Sequence, residues 1–209
     1  MAPRFALAFD PAEGCRVLGR REPRLRALMK RCGPFAMKLR PAPTPFEALA
    51  ESIVYQQLHG KAAASIFARL KALQGGAALE PARMLQTPGE ALRAAGLSQA
   101  KALAIQDLSA KTLEGLVPGW AQVRRMEDAE ILARFTQVRG IGRWTVEMLL
   151  IFRLGRPDVW PVDDFAVRKA YGLLLGIEQP KPREMDARAE AWRPWRTLAA
   201  WYLWRSLEG

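Results

Sequence analysis

Apolar residues recur at spacings of three and four along almost the whole 209-residue chain, in runs broken by Pro and Gly. That spacing stacks side chains on one face of an α-helix, and the breaks mark where each helix must stop. The pattern predicts helices over 22–32, 46–59, Lys61–Leu73, Pro88 to Gly96, Ser98 to Gly115, 128–137, 142–153, 164–175, 183–192 and 195–207. Phe46, Leu49, Ile53 and Leu58 fall near one face of the second, with Thr44 and Pro45 as its cap and first-turn residue. Only Met37–Leu39 and Val159–Val162 read as extended. The expected fold class is all-α, with no internal repeat and no run long enough to span a membrane.

One break differs from the rest. Gly140-Ile141-Gly142 separates an apolar pattern of Ile131, Leu132, Phe135 and Val138 from one of Val146, Leu149, Leu150 and Phe152. Two helices joined so tightly form a helix–hairpin–helix. The glycines are expected to supply backbone angles and close approach that a Cβ forbids, and Ile141 to tuck between the helices. The N–H groups opening the second helix then suit phosphate, with Arg139 and Arg143 adding charge. A dinucleotide-binding loop would need a strand before Gly140, and the pattern there is helical. Farther on, Asp163-Asp164 precedes the apolar spacing of Val167, Tyr171 and Leu174. Either Asp can be an ordinary helix cap, so the pair alone does not declare a function.

Charge narrows the partners. Lys plus Arg number 32 against 21 Asp plus Glu, a net charge of +11, and such a balance favours polyanions. Ten basic residues and three acids lie within residues 1–40, from Arg4 to Arg40. They form either a solvated face or one wall of a nucleic-acid surface. Cys15 and Cys32 are too few for a disulfide framework, a four-Cys zinc site or an iron–sulfur cluster. His59 is the sole histidine, which makes a Ser-His-Asp triad or a His-rich metal site a poor reading. Nothing resembles a signal peptide, and a cytoplasmic, reducing location is expected.

Together, Val138-Arg139-Gly140-Ile141-Gly142-Arg143-Trp144-Thr145 and the downstream Trp160-Pro161-Val162-Asp163-Asp164 resemble the helix–hairpin–helix DNA glycosylase superfamily. Within it the likeness is to the 3-methyladenine DNA glycosylase II, or AlkA, type. The stretch from Phe46 to Gln57 resembles that family's helix leading into a base-wedge loop, and Trp192 to Trp204 its C-terminal helix. The resemblance implies two helical lobes around a DNA-facing cleft, one over 45–156 and the other combining 1–44 with 157–209. Better-known members carry a mixed α/β domain ahead of these lobes, and too few residues precede Phe46 here to hold one.

The resemblance also implies roles. A monofunctional enzyme of base excision repair would flip an alkylated base out of double-stranded DNA and hydrolyse its N-glycosidic bond. Gln57 and Leu58 would fill the vacated space. Trp144, Met148 and Trp204 would line the base pocket, where aromatic faces favour a cationic purine. Trp192, Trp195 and Trp201 read as packing. Asp164 would stabilise the positive charge left on the sugar, with Asp163 a neighbour or cap. Arg139, Gly140, Gly142 and Arg143 would hold the DNA backbone. No cofactor is expected for catalysis; a Na+ or K+ ion is expected on the carbonyls of Thr136, Val138 and Ile141. Bifunctional relatives place a nucleophilic Lys where this chain has Trp144, so no Schiff base is expected. A monomer is expected. The competing readings are a non-catalytic helix–hairpin–helix binding module and a glycosylase for oxidised or mismatched bases.

Overall fold

The computed structural model describes residues 6–76 and 78–208. Its helices are α1 (Pro11–Arg21), α2 (Pro23–Cys32), α3 (Pro45–Tyr55), α4 (Gly60–Ala72), α5 (Pro81–Gln86), α6 (Gly89–Ala94), α7 (Gln99–Leu113), α8 (Trp120–Val123), α9 (Asp128–Phe135), α10 (Arg143–Phe152), α11 (Phe165–Leu175), α12 (Pro182–Ala189) and α13 (Arg196–Arg205). A 3₁₀ turn, Glu190–Trp192, follows α12. No strand occurs among the described residues, so the chain is all-α as expected. Met37–Leu39 and Val159–Pro161 are irregular, and Val162 lies in a turn. Arg4, residues 1–3 and 5, and Gly209, assigned above to the basic face or the second lobe, lie outside the described residues. No described helix is long and apolar enough to cross a membrane.

The described residues divide into two compact units. One is Ala42–Leu149; the other joins the chain up to Pro41 with the chain from Leu150. Residues 42–44 and 150–156 therefore fall on other sides of the division than the lobes expected at 45–156 and 1–44 plus 157–209. Local bonds explain both shifts. The Trp120 indole N–H donates to the Ala42 carbonyl at 2.9 Å. The Arg40 N–H donates to the Phe152 carbonyl at 2.8 Å, and Arg153 donates to the Arg40 carbonyl at 2.7 Å.

In Ala42–Leu149 the core gathers Phe46, Leu49, Ile53, Leu70, Met84, Ile105, Leu108, Ile131, Phe135 and Val146, all essentially inaccessible. Thr44 Oγ1 accepts the Glu47 N–H and Pro45 opens α3, as its sequence predicts. The expected helix to residue 59 stops at Tyr55 instead, because the backbone leaves helical angles at Gln56, with ψ 128°, and turns left-handed at Gln57, with φ +56°. Leu58, assigned to the apolar face of that helix, is exposed in the loop that follows.

The other unit packs α1, α2, α11, α12 and α13 around Trp160, Tyr171 and Trp192, with the Trp160 and Trp192 rings edge-on at 5.3 Å. Helix α1, unanticipated in sequence, buries Gly14, Leu18 and Gly19. A Cβ on Gly14 would lie 2.2 Å from Leu198 Cδ1 and 3.0 Å from Trp195 Cε3. Close approach, not an apolar stripe, seats this helix.

Candidate active site

The hairpin sits in Ala42–Leu149 between α9 and α10. Val138 and Ile141 are buried, and the Ile141 N–H returns to the Val138 carbonyl at 3.1 Å. Gly140 has φ +76°, where a side chain would be strained. Gly142 is different: its φ is not positive, and a Cβ there would meet no atom of the chain. The backbone-angle argument thus holds for Gly140 alone.

Helix α7 fixes this hairpin from the side. Asp107 Oδ2 accepts the Arg139 N–H at 2.7 Å and pairs with Lys111 Nζ at 3.0 Å. Lys111 also donates to the Gln137 carbonyl. Hence the Arg139 N–H is engaged within the protein and is not among those open to phosphate. Burial pushes the Asp107 carboxyl up, but the Arg139 N–H and the Lys111 ammonium outweigh it and hold it below its ordinary value. Arg143 is exposed yet anchored: its Nε donates to Oε1 of the buried Glu147 at 2.7 Å. Trp144 is 44% exposed, and Met148, one turn on, is half-buried.

The loop from Gln56 to His59 carries Gln57 and Leu58, the two residues expected to act as a wedge. Gln57 is the one non-glycine residue of positive φ among those described, and both Gln57 and Leu58 are exposed. A left-handed residue with a Cβ stores strain, which commonly marks a functional segment. The preceding Gln56 side chain donates to the Gly140 carbonyl at 2.9 Å, so loop and hairpin are tied directly. Lys101 Nζ donates to the Val54 and Gln56 carbonyls, each at 2.7 Å. The sequence reading missed Gln56 as a tie, and missed Lys101, Asp107 and Lys111 altogether. Each bonds to a backbone group far away in sequence, and Lys101, Asp107 and Lys111 belong to no motif.

In the other unit, Asp164 is buried at the start of α11. Its Oδ1 accepts two N–H groups, from Val167 at 2.8 Å and from the Trp204 indole at 2.9 Å. The first bond is an N-cap, and the helix end favours negative charge. The second is not needed to start a helix. It comes from α13, and it orients the carboxylate through a ring that also packs on Phe152 at 5.6 Å. Asp163 is exposed, so the cap belongs to Asp164 and not to its neighbour. Thr197 fixes the segment leading to Asp164: its Oγ1 donates to the Arg156 carbonyl and accepts the Val159 N–H. Arg196 holds Asp158 with Nε at 2.6 Å. Trp192 and Trp201 are buried and the half-buried Trp195 packs near Phe9. These three serve packing, as expected.

A family model described as HhH-GPD superfamily base excision DNA repair protein matches residues 50–196, which include the hairpin, Asp164 and the start of α13. The chain belongs to that superfamily. A Schizosaccharomyces pombe relative, DNA-3-methyladenine glycosylase 1, is 40% identical over 164 residues, 78% of this chain and 72% of that protein. Among solved structures, the S. pombe 3-methyladenine DNA glycosylase in complex with abasic DNA superposes with a TM-score of 0.84 and 34% identity. It covers 94% of this chain and 97% of its own. A Bacillus halodurans DNA-3-methyladenine glycosidase gives a TM-score of 0.85 and 30% identity, covering 99% and 93%. The matched stretch contains Gly140, Gly142 and Asp164, and Trp144 stands right after Arg143.

Proposed function

We propose that this chain is a monofunctional alkylbase DNA glycosylase of base excision repair, acting on double-stranded DNA. The observation that carries the reading is Asp164, a buried carboxylate aimed by the Trp204 N–H as well as by its own helix. A cap alone explains one of those bonds, not both. The relatives' names supply the substrate class: 3-methyladenine is what the S. pombe proteins are named for.

The roles follow from chemistry. Cleaving the N-glycosidic bond leaves positive charge on the sugar, and a fixed carboxylate stabilises that charge. Asp164 also serves to orient or deprotonate the attacking water. An alkylated purine is already a good leaving group, so no strong general acid is required. Trp144, Met148 and Trp204 are assigned to the base, because aromatic faces attract a cationic ring by roughly 1 kcal/mol, more when dry. Gln57 and Leu58 are assigned to the gap left in the stack. Arg139, Arg143 and the backbone at Gly140 and Gly142 are assigned to phosphates, which position the duplex without reading its sequence. With Trp144 and no amine after the hairpin, base release leaves the strand intact.

A monovalent cation on the hairpin belongs to the same proposal. Its donors would be the carbonyls of Thr136, Val138 and Ile141, neutral oxygens of the kind that hold such ions. Val138 accepts one N–H and keeps a second lone pair. When bound, the ion would add positive charge beside the phosphates.

Single-turnover excision from an alkylated duplex tests the assignment. Asp164→Asn keeps both acceptor bonds at Oδ1 but removes the charge, and should slow base release by at least ~10²-fold. Binding to the same duplex should survive. Asp163→Asn, at an exposed residue that caps nothing, should change rate and stability little. Equal, small losses at both would return Asp164 to a plain cap. A larger loss at Asp163 would move the chemistry one residue back.

A further inference from the structure

We propose that Lys101 is a positioning residue, whose ammonium clamps the end of α3 so that the wedge loop keeps its inserting shape. The inference rests on the reading of Gln57 and Leu58 as the wedge.

The last carbonyls of a helix lack partners within the helix, and a cation there is favoured by the helix dipole. Lys101 meets that need with one ammonium shared between two carbonyls. The Val54 carbonyl belongs to the last turn of α3. The Gln56 carbonyl belongs to the peptide that leads into Gln57. Holding it fixes the plane from which Gln57 turns to φ +56°. Charge-assisted bonds of this length are among the stronger ones a backbone can accept. The backbone that carries the lysine is itself set in place, because Ser98 Oγ caps α7 by accepting the Lys101 N–H at 3.3 Å.

Two further features make this a matter of function more than of folding. Gln57, Leu58, His59 and Gly60 are all exposed, so the loop has little core to shape it. And α7 also holds the hairpin, through Asp107 and Lys111, while the Gln56 side chain ties the loop to Gly140. Within this unit, one helix sets both the part assigned to the phosphates and the part assigned to the gap in the stack. Releasing Lys101 frees the second and leaves the first.

The test is Lys101→Met, which keeps most of the stem and removes charge and donors. Two duplexes are compared, with the alkylated base either paired or placed in an unpaired bulge that needs no wedge. Excision from the paired site should fall by at least ~10-fold, as misplacement of a positioning group does. The bulged site should lose far less, and the salt slope for undamaged duplex should hold, because the hairpin contacts stay. 2-Aminopurine beside the lesion should brighten less on binding, and Lys101→Arg should recover part of the paired activity. Gln57→Ala should show the same paired-specific loss. If Gln57→Ala shows it and Lys101→Met does not, the clamp is wrong and the wedge stands. If neither variant separates paired from bulged, the wedge reading itself fails. Equal loss on both substrates at Lys101 also overturns the clamp.

Discussion

Helices α13 and α7 do the same mechanical job in different materials. In its unit, α13 grips the segment before α11 at three places, through Arg196 on Asp158 and Thr197 at one end and Trp204 on Asp164 at the other. Thr197 is fully buried and its bonds are neutral. In the other unit, α7 grips the hairpin and the wedge loop with Lys101, Asp107 and Lys111, and the side chains of the Asp107–Lys111 pair are 30% and 28% exposed. Solvent-reached ion pairs contribute only about 0–1 kcal/mol and weaken with salt. Buried bonds are insulated from both. The residue assigned to bond cleavage is thus held by drier fixings, one of them the Arg196–Asp158 ion pair, and the parts assigned to DNA by charged ones that water reaches more freely.

The contrast can be broken most sharply at Trp204. Trp204→Phe keeps an aromatic ring against Phe152 but deletes the N–H on Asp164. Single-turnover excision should fall by roughly 10–10²-fold, the scale for a misplaced catalytic group. An unchanged rate would show that the indole does not aim the carboxylate. Next is Gly14→Ala, which forces Leu198 and Trp195 away from α1. Overpacking of this kind should cost about 1–3 kcal/mol in denaturant unfolding. A neutral result would mean that α13 is less firmly backed than its packing indicates.

The smallest effect belongs to the charged side. Asp107→Asn should cost about 1 kcal/mol or less, since it removes an exposed pair and weakens one acceptor. Its pH dependence is the sharper reading. The folded carboxyl is held below its ordinary value, so its contribution is full above the unfolded pKa of about 4 and is lost as pH falls through the lower folded value. The stability gap between wild type and Asp107→Asn should therefore close in acid, and should narrow in high salt at neutral pH. A gap indifferent to both would place Asp107 among the dry fixings.

What the sequence made legible follows the same line. Motif residues announce themselves locally: Gly140 by its turn, Asp164 by its place before an apolar helix, and Thr44, Pro45 and Ser98 as helix starts that the structure bears out. The residues that hold them do not. Lys101 reads as one more helix-surface lysine, and only the return of α3 beneath α7 gives it two carbonyls. Helix α1 hid because its buried face is built on two glycines, which carry no apolar signal. The helix from Phe46 reads too long in sequence because Leu58 keeps the spacing of its face, while the backbone leaves the helix at Gln56.

The most direct test of the account is product analysis. The chain is incubated with duplex DNA carrying methylated purines, released bases are identified, and the strand is examined before and after alkali. The account predicts free alkylated purine, an intact strand that breaks only on alkali treatment, and no covalent complex on borohydride reduction. Binding without any released base would contradict it in favour of a non-catalytic hairpin module. Strand scission without alkali, or a trapped adduct, would contradict the monofunctional chemistry.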